Sequence, residues 1–173
     1  MISSGFQEMR TYANELLSDR DQRRVIILGD PGSGKTTLLK AQGLALLGRT
    51  RSSSRLKSGQ LKRRGEIPIF VILRRFNRSL QSNSETTLLS YIVDEVRRLG
   101  ARNPREFVDR LALASRLVVM LDGLDEVTDA AYPLLLDSIR QFSTGADGLV
   151  STAQVRIIVT CRACCRNRLL TSL

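Results

Sequence analysis

Gly29-Asp-Pro-Gly-Ser-Gly-Lys-Thr36 interrupts the chain between two stretches of opposite habit. Before it, Val25-Ile-Ile-Leu28 is a short β-branched run, which reads as a buried strand. After it, Thr36 to Leu47 carries Leu38, Leu39, Gln42, Ala45 and Leu46 at helical spacing. The segment between them fits G-x-x-x-x-G-K-[ST] at every fixed position, in the strand–turn–helix setting that the pattern requires. Glycines let a backbone wrap closely around phosphates, and the N-terminus of the following helix adds partial positive charge. The candidate phosphate-binding residues are therefore Gly29, Asp30, Pro31, Gly32, Ser33, Gly34, Lys35 and Thr36, with Thr37 beside them. In this pattern the lysine reaches the β- and γ-phosphates and the hydroxyl of Thr36 ligates Mg²⁺.

A second stretch answers the first. Met120-Leu-Asp-Gly-Leu-Asp-Glu126 places three carboxylates in five residues, directly after the apolar run Leu117-Val-Val-Met-Leu121. Carboxylates crowded at the end of a buried strand repel one another and are costly to desolvate, so a cation is expected there. A parallel strand beside the loop strand would bring Asp122 to the same sheet edge, where it can hold Mg²⁺ directly or through water. Asp125 and Glu126, a few residues on, are placed to orient or deprotonate an attacking water. Read without the phosphate loop, the same two acids would be the N-cap and first turn of a helix over 127–142. Val155-Arg-Ile-Ile-Val159 predicts a further strand, and the Thr160-Cys-Arg162 that follows it faces the same edge. Thr160 and Arg162 there are candidates for sensing the nucleotide or stabilising transition-state charge.

The remaining pattern is alternation. A helix is expected over 5–18, a strand over Ile67–Leu73, and helices over Thr86–Leu99, Pro104–Ala114 and Asp129–Phe142. Strands alternating with helices imply a mainly parallel sheet covered on both faces, an α/β three-layer sandwich.

Composition narrows the function. No His is present, which removes imidazole as base or ligand. The cysteines Cys161, Cys164 and Cys165 offer no fourth ligand for zinc and read as reduced thiols. No apolar run approaches the roughly 18 residues of a membrane span, and the start lacks a signal-peptide core, so a cytoplasmic location is expected. The net charge of +10 is concentrated between Arg49 and Arg78, where ten basic residues face one acid, Glu66. Such a cluster suits a nucleic-acid backbone. Only Phe70 and Phe76 are present there for base stacking, so a solvated insertion is the preferred reading of its Ser/Arg-rich part, 48–65. A small-molecule kinase is disfavoured, because the paired acids after Asp122 suit water better than a substrate hydroxyl.

Taken together, GDPGSGKTTLLK, IPIFVILRRF, LVVMLDGLDEV and VRIIVTCR resemble the NACHT family of STAND-class P-loop NTPases. The selective element is an aspartate, a small residue and a second acid three positions after the first: Asp122, Gly123 and Asp125, with Glu126 adjoining. The resemblance implies a P-loop fold, binding of ATP or ADP with Mg²⁺, Arg162 as the sensor arginine, and slow hydrolysis in a molecular switch. It also implies self-association in a longer protein, and a role in defence or signal transduction. A nucleotide-binding module without turnover is the alternative, as is an ATPase acting on nucleic acid. Against the family pattern, residues 1–24 are expected to be a leader helix and 25–173 an incomplete core, ending after the fourth strand without lid, winged helix or sensor region.

Overall fold

The computed structural model describes residues 17, 19, 22–52, 65–83, 85–128, 130–149 and 155–162, the side chains of 49–52 excepted. Four strands form one sheet: β1 (Arg24–Leu28), β2 (Ile67–Ile72), β3 (Leu117–Asp122) and β4 (Arg156–Cys161). Among the described residues five helices with defined bounds connect or cover them: α1 (Lys35–Ser52), α2 (Leu73–Ser82), α3 (Leu88–Arg98), α4 (Pro104–Leu113) and α5 (Tyr132–Thr144). A single 3₁₀ turn, Leu124–Glu126, follows β3. Every pairing is parallel and the strand order is β1-β4-β3-β2. This is the α/β three-layer sandwich of a P-loop NTPase.

Side-chain parity explains the layers. Successive residues of a strand point to opposite faces. In β3 and β4 the even-numbered Val118, Met120 and Ile158 pack with Leu39 and Leu46 of α1, and with Leu17. The odd-numbered Leu117, Val119, Leu121, Ile157, Val159 and Cys161 turn the other way, onto residues of α2, α3, α4 and α5. Both inner strands are therefore apolar at nearly every position, as a sheet covered on two faces requires. One exception is Arg156, buried at the start of β4, whose Nε donates to Gln22 O at 3.0 Å. Arg24 holds the same end of the sheet. Its guanidinium donates to Val155 O at 2.7 Å and Ser143 O at 3.3 Å, and burial lowers its pKa.

Local chemistry sets the helix limits. Thr87 caps α3 reciprocally: its hydroxyl accepts from Ser90 N at 3.1 Å, and Ser90 Oγ accepts from Thr87 N at 2.9 Å. Pro104 opens α4, where a missing N–H costs nothing.

The structure departs from expectation in several places; the strand expected over Val155–Val159 is Arg156–Cys161 and so takes in Thr160. The second strand closes at Ile72, and Leu73 instead opens α2, a helix the sequence reading did not include. Its buried residues Leu73, Phe76, Asn77 and Leu80 have helical spacing, but the apolar run of the strand continues into Leu73 and conceals the change. The helix expected from Asp129 begins only at Tyr132, with Pro133 in its first turn. The helix after the phosphate loop runs past Leu47 to Ser52. Finally, β3 does not lie beside β1; β4 stands between them. Of the leader helix expected over 1–24, Leu17 is helical, Asp19, Gln22 and Arg23 are not, Arg24 already opens β1, and the remainder lies outside the described residues, as do 53–64, Cys164 and Cys165. Cys161 is buried in β4. None of the described helices is long and apolar enough to cross a membrane.

Candidate nucleotide-binding site

In a parallel sheet all strands end on one edge, and here the polar residues gather at that edge. Gly29 N donates to Cys161 O at 3.2 Å, which joins the start of the phosphate loop to the end of β4. Gly34, at φ +84°, takes the left-handed conformation that turns the loop into α1. Leu38 N then donates to Gly34 O at 2.8 Å and the helix is under way. The Lys35 side chain folds back over the loop, and its ammonium donates to Gly29 O at 2.8 Å and Asp30 O at 3.1 Å. Asp30, Pro31, Gly32, Ser33, Thr36 and Thr37 are exposed along the same rim.

Parity carries Asp122 to this place. It follows Val118 and Met120 on the α1 face, so its carboxylate arrives where α1 begins. The Thr36 hydroxyl donates to it, at 2.9 Å from Oδ2 and 3.1 Å from Oδ1. The strand between them does not separate the loop from the carboxylate; β4 adds Thr160 to the pair. The Thr160 hydroxyl donates to Asp122 Oδ1 at 2.7 Å and accepts from Gly123 N at 2.8 Å.

Gly123, at φ +81°, reverses the chain after β3. A Cβ there would stand 3.2 Å from the Glu126 carboxyl carbon, so a small residue is needed on two counts. The 3₁₀ turn that follows separates the two remaining acids. Asp125 is only 10% exposed and accepts from Arg162 Nε at 2.7 Å. Its other oxygen is buried and has no hydrogen-bond donor among the described residues. Glu126 is 52% exposed, and its Oε2 lies 4.0 Å from Arg74 Nε. With α5 starting at Tyr132, neither acid caps that helix.

The site residues named from sequence thus share one edge. Two participants were not fully legible. Arg74 belongs to the unforeseen helix α2. Thr160 is legible as a polar candidate for sensing the nucleotide, but the register that aims it at Asp122 comes from β4 lying between β1 and β3.

The donors fit a magnesium ion that arrives with a nucleotide. They are hard oxygens, one hydroxyl and one carboxylate, and Mg²⁺ is commonly held by one or two carboxylates plus phosphates and water. Among the described residues no group of three or more His, Cys, Asp or Glu forms a self-sufficient metal cage. Strand, phosphate loop, helix, hydroxyl and acidic strand end are therefore all in place.

The NACHT domain model matches residues 23–173. The chain belongs to the NACHT family. It is accordingly a P-loop, nucleotide-binding NTPase domain, of a family that generally takes nucleotide with Mg²⁺. No curated protein matches. Among solved structures the NACHT chain is similar to C. elegans PCH-2, at 18% identity and a TM-score of 0.47. That likeness covers 94% of this chain and 38% of the other.

Proposed function

We propose that this NACHT domain is the nucleotide-driven part of a molecular switch that binds ATP or ADP with Mg²⁺ and hydrolyses ATP slowly, in defence or signal transduction. Its core opens at Arg24 with β1, one residue before the boundary expected from sequence, and a leader precedes it. The observation that carries the reading is the meeting of Thr36 and Asp122 at 2.9 Å beside Lys35. Two elements 86 residues apart bring a metal-ligating hydroxyl and a carboxylate together at the mouth of a phosphate loop.

In this reading the loop from Gly29 to Thr37 cradles the phosphates, and the Lys35 ammonium exchanges its two loop carbonyls for phosphate oxygens. Thr36 and Asp122 hold Mg²⁺, which when bound neutralises charge on the β- and γ-phosphates. Glu126 is the better placed base: it is exposed, whereas Asp125 is buried against Arg162. Asp125 then serves to hold Arg162 at the strand end, where the guanidinium can meet transition-state charge. The Asp125–Arg162 pair also favours a second reading, binding without turnover, because each group is occupied by the other. Preference for adenine rests on the family. Self-association belongs to a longer protein and a cytoplasmic setting. Nucleic-acid binding through Arg49–Arg78 is the weaker partner reading; of that segment, the described Arg74, Arg75 and Arg78 are exposed.

Calorimetry of Mg²⁺-ATP binding with Lys35→Ala alongside tests the site. The expected loss is about 100-fold in affinity, since hydrogen bonds from a charged group contribute roughly 1.5–3 kcal/mol each. Unchanged affinity would remove the phosphate-loop assignment. In any form that turns over, Glu126→Gln should keep ATP bound and slow hydrolysis at least ~100-fold, the ordinary worth of a positioned base. Hydrolysis at the parental rate in single-turnover assays would exclude Glu126 as base.

A further inference from the structure

Thr160 occupies the one position of β4 that faces both the metal-holding carboxylate and the acidic turn. Its residue is 0% exposed, and its hydroxyl makes two short hydrogen bonds. A hydroxyl has one proton to give and two lone pairs to receive. Gly123 N–H takes up a lone pair, so the single proton is directed to Asp122 Oδ1. Thr36 also approaches that carboxylate and is nearer to Oδ2 than to Oδ1. The carboxylate is therefore gripped at one oxygen by a fixed, buried donor, and its other oxygen faces the exposed hydroxyl of α1.

We infer that Thr160 is a positioning residue for the nucleotide-bound magnesium ion: it fixes the rotation of the Asp122 carboxylate and thereby sets the Mg²⁺ affinity of the site. The inference rests on the reading of Asp122 as the residue that holds Mg²⁺. A carboxylate whose angle is set in advance loses less freedom when a cation binds, and hydrogen-bond partners that orient metal ligands commonly contribute 10–100-fold in affinity. The same hydroxyl receives Gly123 N–H at the residue where the chain turns toward Asp125 and Glu126. One side chain thus ties the metal carboxylate to the start of the acidic turn. Apolar replacement would leave Gly123 N–H without that acceptor and Asp122 held only by the exposed Thr36 hydroxyl.

The test measures ATP affinity by calorimetry as Mg²⁺ is titrated, for the parent, Thr160→Val, Thr160→Ser and Asp122→Asn. ADP affinity in EDTA and the thermal midpoint are read for each. Thr160→Val is expected to raise the Mg²⁺ concentration of half-effect about tenfold, with ADP affinity in EDTA unchanged, and Thr160→Ser to restore the parental value. A parental Mg²⁺ dependence in Thr160→Val, or a serine variant no better than valine, overturns the inference. Should the valine variant not fold, Thr160→Ala reads the same quantity without the added apolar methyl. If neither folds by circular dichroism, the role is structural and the inference falls. Asp122→Asn separates the two levels. A shifted Mg²⁺ dependence there with none in the Thr160 variants rejects Thr160 alone. No shift in Asp122→Asn rejects the metal reading and the inference with it.

Discussion

One face of the sheet is buried beneath α2, α3, α4 and α5, while the other, among the described residues, meets α1 and Leu17. The first holds an extensive aliphatic core with Phe76 and Phe142 inside it. The second is a small cluster around Leu39, Leu46, Val118, Met120 and Ile158. Asp122 and Thr160 lie on the thinner face, and so does the helix that carries Lys35 and Thr36. Much of the burial that holds the fold and the polar groups that meet the nucleotide therefore occupy opposite sides of the same strands. A polar carboxylate and hydroxyl can sit at the end of the thin face without interrupting the larger core, because parity turns Leu121 and Val159 away from them.

Removing bulk from the thick face is the strongest way to strain this division. Phe142→Ala should cost about 3–5 kcal/mol of stability, the usual penalty for emptying a buried aromatic site. Nucleotide affinity of the folded fraction should remain parental; chemical denaturation and calorimetry on the same sample read both. Leu39→Ala on the thin face should cost nearer ~2 kcal/mol, the low end for such a change, since fewer neighbours are left around the cavity. It should nevertheless weaken nucleotide binding, because Leu39 anchors α1 one turn beyond Lys35. An affinity loss in Phe142→Ala equal to that in Leu39→Ala would erase the distinction between the faces.

The smallest effect belongs to Asp147, in the loop after α5 at the margin of the thick face. Burial raises its pKa, with nearby backbone groups and Arg105 acting in the opposite direction. A carboxyl that holds its proton more tightly when folded contributes least once that proton is lost. Stability from this group is highest below its unfolded pKa and falls as pH rises through its folded value. Asp147→Asn should therefore raise the thermal midpoint at neutral pH and lose that advantage in acid. A variant whose difference from the parent is the same at pH 3 and pH 7 would show that the carboxyl does not titrate differently on folding.

How far the sequence disclosed this arrangement depended on how local each signal was. The phosphate loop is written in consecutive residues, and Pro104 marks a helix start without help from the rest of the chain. The end of β3 was also visible, because its apolar run stops abruptly at Asp122, whereas β4 runs past Val159 to Cys161. Leu73 misled, since one residue can end an apolar strand and begin an amphipathic helix with no break in hydropathy. Pro133, favoured in a first helical turn, marks the start of α5 at Tyr132 and not at Asp129, a signal that is local. The position of β4 between β1 and β3 left no such trace. Strand order is decided by which crossovers pack, and no residue in β4 names its neighbours. The pairing of Arg162 with Asp125, 37 residues away, follows only once that order is known.

The parity of β4 has a consequence for how this domain can tolerate change over time. Point substitutions alter one neighbour at a time, but a single-residue insertion or deletion within 155–160 would invert every later side chain of the strand. A deletion would put Cys161 in the place of Thr160, setting a thiol beside a hard-oxygen site, and an insertion would put Val159 there; in either case the threonine would enter the aliphatic core. Drift in this strand is therefore constrained in length more strictly than in composition, and the turn over 145–149 that follows α5 is the nearer described place for the chain to grow or shorten.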